Sequence, residues 1–175
     1  MAETLNQNSI SPMDELFIEY DKDCNEILFR GEDDEAAIGF DVARQELVSK
    51  GVSIAQTVKD CDRILSELNP ERYPKLWEIV EKKKDSIEFG GIIEEFDTRH
   101  KAILEKNTSS CEDDEELERV RCNDLRMRYL TKAINKATTK EECLQVLDRT
   151  PEKNTYIRGL VEEKMAMFPI ETRKV

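Results

Sequence analysis

Ala55-Gln56-Thr57-Val58-Lys59-Asp60-Cys61-Asp62-Arg63-Ile64-Leu65 and Ala137-Thr138-Thr139-Lys140-Glu141-Glu142-Cys143-Leu144-Gln145-Val146-Leu147 stand 82 residues apart. Both read alanine, a threonine two on, an acid three further, then cysteine and an aliphatic pair. A threonine with a carboxylate three residues later is a capping box. The hydroxyl accepts from the acid's backbone N–H, and the acid accepts from the threonine's own N–H. Each stretch therefore predicts a helix start. Cys61 and Cys143, in line with the aliphatics, read as small buried hydrophobes rather than reactive thiolates.

Upstream, Met13, Leu16, Phe17, Tyr20, Cys24, Ile27 and Leu28 form one helical face, and His100 sits at the place of Cys24 when that face recurs. The recurrence, 76 residues on, is Phe89, Ile92, Ile93, Phe96, His100, Ile103 and Leu104. Between these stripes and the boxes, Ile38, Leu47, Val48, Val52 and Ala55 pair with Val120, Tyr129, Leu130, Ile134 and Ala137. Downstream, Asn69-Pro70-Glu71 answers Thr150-Pro151-Glu152: a capping residue, proline at a first helical position, and an acid near the positive helix end. The stripe Leu76, Ile79, Val80, Lys83, Ile87 then parallels Ile157, Leu160, Val161, Lys164, Phe168 at an offset of 81.

No segment alternates strictly enough for a sheet, so the expected fold is all-α. The expected organisation is a tandem duplication of a roughly four-helix unit, either a helical-repeat-like pair or a single helical globule. The boundaries are a tail over 1–12, unit one over 13–88, unit two over 89–170, and a tail over 171–175.

Composition narrows the function classes. The 175 residues carry a formal charge of −12, and 38% are apolar. There is no apolar run of about 18 residues that would span a membrane, and the first residues lack a basic start and apolar run of a secretory signal. Five cysteines without ligand spacing, Cys111 the one expected to be exposed, suit a reducing, cytoplasmic setting. One histidine and no phosphate-loop glycine pattern disfavour familiar nucleophile, metal and nucleotide chemistry. The chain is read as a non-enzyme, with no cofactor.

Charge is unevenly spread. Residues 1–38 hold eleven acids and two bases. Glu32-Asp33-Asp34-Glu35 and Glu112-Asp113-Asp114-Glu115 each precede the second helix of their unit. Arg119, Arg121, Arg126, Arg128, Lys132 and Lys136 form a basic helix after the second run. These acids, with Trp77 as an off-stripe aromatic anchor, are the expected partner-binding residues. The expected function is regulatory: docking a protein with a basic surface through acidic helical faces, without direct nucleic-acid or membrane binding. The basic helix of another subunit is a further candidate partner, which would make a homo-oligomer. The alternative is an acidic mimic of nucleic acid that inhibits a DNA- or RNA-binding protein.

A second alternative binds calcium. Asp21, Asp23, Asn25 and Glu32 stand at positions one, three, five and twelve of a segment that resembles an EF-hand loop. Glu26 occupies position six, where that loop turns on glycine. The apolar stripe also runs unbroken through the segment. A continuous helix is therefore the preferred reading.

Overall fold

The computed structural model describes residues 10–30, 33–106 and 112–168. Among them are seven helices and no strand. These are α1 (Pro12–Arg30), α2 (Asp33–Ile54), α3 (Val58–Ser66), α4 (Pro74–Lys106), α5 (Glu112–Lys136), α6 (Lys140–Asp148) and α7 (Thr155–Ala166). The chain divides into two compact units, with the boundary inside α4, between Lys84 and Asp85.

In the first unit, α1 and α2 pair antiparallel: Gly51 sits against Leu16, and Gly39 sits against Ile27. The α1 stripe supplies Met13, Leu16, Phe17 and Tyr20 to the core, and α2 supplies Ala43, Leu47 and Val48. Gly51 permits close approach, since a Cβ there would lie 2.7 Å from Ile64 Cδ1. Across this core, Arg63 on α3 pairs with Asp14 at 2.6 Å and lies over the Phe17 ring at 3.9 Å.

The second unit has its own core: Phe89, Ile93 and Phe96 of α4, Tyr129, Leu130, Ala133 and Ile134 of α5, Cys143 and Val146 of α6, and Ile157 and Val161 of α7. Its long pair is antiparallel too, because Asp85 meets Lys136 while Glu95 meets Tyr129. Arg149 at the end of α6 grips Asp97 with two bonds of 2.9 and 2.7 Å. That hydrogen bonding holds the Asp97 carboxyl below its ordinary range against the opposing effect of burial.

Both capping boxes form. Thr57 accepts from Asp60 N–H and Asp60 accepts from Thr57 N–H; Thr139 and Glu142 do the same. Behind each box the cysteine is fully buried, with Ile64 or Val146 beside it. Burial pushes the Cys61 and Cys143 thiols up, which keeps them protonated and apolar.

Three expectations need correction. Pro70 and Pro151 do not open helices. Asn69 Oδ1 accepts from Glu71 and Arg72 N–H in a turn, and the helices begin later, at Pro74 and Thr155. The proline that suits a first helical position is Pro74, and it keeps Tyr73 outside the helix. Asn154, not Thr150, caps α7, by accepting from Ile157 N–H; Thr150 donates back to Val146 C=O instead. Second, the segments expected as two helices around residue 88 are one, because Gly90 and Gly91 hold helical geometry without positive φ. Third, the stripes lose burial at their ends: Leu28 is 67% exposed and Leu104 48%.

Thr57→Ala and Thr139→Ala should each lower the unfolding free energy by about 1 kcal/mol. Urea titration followed by circular dichroism reads this directly. A Thr→Ser variant at either position should avoid most of this loss, because the capping oxygen remains.

Candidate functional site

The end of α1 and the first half of α2 line a groove of about 460 Å³ in the first unit. Its floor is apolar, made by Ile27, Ala36, Gly39, Val42 and Ala43, and its rim carries Asp23, Glu26, Glu35 and Glu46. The narrow floor follows from Gly39, whose missing side chain lets the α2 backbone come against Ile27; a Cβ there would lie 3.1 Å from that side chain. Val42 is 51% exposed, so apolar surface is open to solvent within an acidic border. On the outer face of α1, Ile18, Asp21, Lys22, Asn25, Glu26 and Phe29 line a shallower depression, with Phe29 92% exposed.

Of the acidic set expected to bind a partner, Glu35 lines the groove. Asp33 and Asp34 start α2, and Glu112, Asp113 and Asp114 start α5, so these acids form first helical turns rather than preceding them. Carboxylates are favoured there by the positive helix end. The side chains of those five residues, and Glu32 altogether, lie outside the described residues, as do Cys111 and residues 107–110. Glu115 is exposed on α5, in the other unit. Trp77 is half-buried on α4 and does not line the groove. Asp21, Asp23 and Asn25 lie on the unbroken helix α1, whereas an EF-hand loop needs a sharp turn at the place of Glu26. Among the described residues no three His, Cys, Asp or Glu side chains gather as a metal site.

Sequence reasoning gave Asp23 and Glu26 to a calcium loop and Ile27 to the apolar stripe, and it missed Glu46, Ala36, Gly39, Val42 and Ala43. The available signal was Ala36-Ala37-x-Gly39, small residues at the start of α2 that let two helices approach.

The basic face of α5 is partly neutralised at home. Lys136 lies 2.8 Å from Asp85 and 2.7 Å from Glu88, and these two carboxylates push its ammonium up. Arg119 pairs with Glu116. Arg126 has a different neighbour: its Nη2 lies 3.1 Å from His100 Nε2. His100 stacks on Phe96 with ring centroids 5.3 Å apart. Burial, then the Arg126 charge, push the imidazole below its ordinary value of 6.5. The neutral ring can then accept from the guanidinium.

Since the folded value lies below the unfolded one, the stability tied to the neutral ring is present above pH 6.5 and lost as pH falls through the folded value. With one histidine in the chain, proton NMR should show a single imidazole midpoint below 6.5, and Arg126→Met should raise it. A midpoint at or above 6.5 in the unchanged protein would contradict this account.

No protein family, no curated protein and no solved structure matches this chain.

Proposed function

We propose that the chain is a duplicated pair of helical units and a non-catalytic regulatory protein. Its partner is a protein presenting basic and apolar side chains on one helix, seated in the α1–α2 groove. The groove carries the proposal: an apolar floor for the aliphatic side of such a helix, and a rim of Asp23, Glu26, Glu35 and Glu46 for its cations. A row of phosphates has no apolar floor, which favours a protein partner over mimicry of nucleic acid.

Duplication is supported by parallel construction. Each unit has a long antiparallel pair, a nine-residue helix behind a capping box, a proline turn and a further helical segment. Burial agrees at paired positions: Cys61 with Cys143, Ile64 with Val146 and Val80 with Val161 are all fully enclosed. The stripes also fade together, at Leu28 and Leu104.

A fluorescein-labelled amphipathic peptide of lysine and leucine should bind in anisotropy titrations. Binding should weaken steeply between about 50 and 500 mM sodium chloride, because exposed charges are screened. Glu35→Lys with Glu46→Lys should reduce affinity by about tenfold or more. Absence of binding at low salt, or equal binding by the double variant, would defeat the groove as the docking site. Competition of the protein with duplex DNA for a DNA-binding protein would instead favour mimicry.

A further inference from the structure

In the second unit, α5 and the turn before α7 leave a cleft of about 700 Å³ whose charge is opposite to that of the α1–α2 groove. Arg119, Arg126 and Lys153 line it, with Glu116 the single carboxylate among the described residues. Val120, Met127 and Tyr156 add apolar surface, 46%, 42% and 58% exposed.

The corresponding place in the first unit is closed. There Asp41 on α2 accepts from Arg72 at 2.8 Å and from the Tyr73 hydroxyl, tying the helix to the turn before α4. Arg44 completes the closure: Nε donates to Glu67 C=O at 3.1 Å, and the guanidinium lies over the Tyr73 ring at 5.5 Å. By the pairing of the two units, Asn123 stands for Asp41, Arg126 for Arg44, Lys153 for Arg72 and Asn154 for Tyr73. The cations are kept and the carboxylate is gone. Arg126 Nη2 lies against His100, but its Nε, unlike the Arg44 Nε that donates to Glu67 C=O, is buried without a hydrogen-bond partner among the described residues. A buried charged donor left unpaired costs stability, and an incoming anion would satisfy it. The Arg119–Glu116 pair is exposed on both sides, so it opposes exchange only weakly.

We propose that this cleft binds an acidic peptide segment of a protein partner, carboxylates meeting Arg119, Arg126 and Lys153 and an aliphatic side chain covering Val120, Met127 and Tyr156. The comparison of positions rests on the duplication, whereas the cleft and its charge stand without it. The site is separate from the acidic groove. A chain carrying both joins a basic partner to an acidic one.

The probe is a fluorescein-labelled peptide of four Glu-Glu-Leu repeats, titrated with the full chain at low salt. Saturable binding is expected, weakened about tenfold or more by Lys153→Glu. Asn123→Asp should weaken it similarly, because it restores the carboxylate that closes the first unit. Glu35→Lys, in the other unit, should leave this binding unchanged, which separates failure here from failure of the groove. No binding, or equal binding by Lys153→Glu and Asn123→Asp, overturns the proposal. So does equally tight binding of a single-stranded oligonucleotide, which would make the site a phosphate binder. Concentration-dependent self-association in sedimentation that Lys153→Glu abolishes would also overturn it, by assigning the cleft to a second copy.

Discussion

A nine-residue helix has almost no stability of its own in water, because its nucleus is costly and its first turn leaves backbone donors unpaired. Both α3 and α6 have that length. What allows them to form is a carboxylate placed three residues after a threonine, Asp60 or Glu142, returning to the backbone while the hydroxyl takes the N–H opposite. Burial pushes Asp60 up, but the Gln56 and Thr57 N–H groups outweigh it and hold the carboxyl below its ordinary range. Glu142 extends the same device. One oxygen serves Thr138 and Thr139, and the other accepts from Ser86 on α4 at 2.7 Å. The capped turn then presents Cys61 and Ile64, or Cys143 and Val146, to a core that excludes water completely.

The charged surfaces of the two units differ. In the first, Asp41, Arg44, Arg72 and Tyr73 satisfy one another, and the open surface is the acidic groove. In the second, Asn123 supplies no charge, Arg126 turns to His100, and the open surface is basic. At partly buried positions one unpaired charge outweighs several exposed pairs.

Legibility followed the range of the interaction. The capping boxes were readable because all their atoms lie within four residues. The stripes were readable because helical period alone selects a face. Helix starts near proline were misread at Pro70 and Pro151, although Pro74 and Asn154 carried the right signals a few residues on. The fused α4 was missed because Gly90 and Gly91 carry the residue type that usually ends a helix, whereas here the helix runs through them. Of the acidic groove, Glu35 was readable as part of a charge run. Asp23 was read as a calcium candidate and Glu46 and Val42 not at all, since only the pairing of α1 with α2 brings the three together.

The sequence by itself determined that the chain is helical, where its short helices are capped, and which faces are apolar, because these depend on local bonding and periodicity. Tertiary structure alone decided which charges are neutralised and which remain open. Lys136 is enclosed by Asp85 and Glu88, whereas Arg126 meets His100 and its Nε has no hydrogen-bond partner among the described residues, although both belong to one basic run. Charge pairing depends on distances of a few ångströms between residues far apart in the chain, and composition carries no information about those distances.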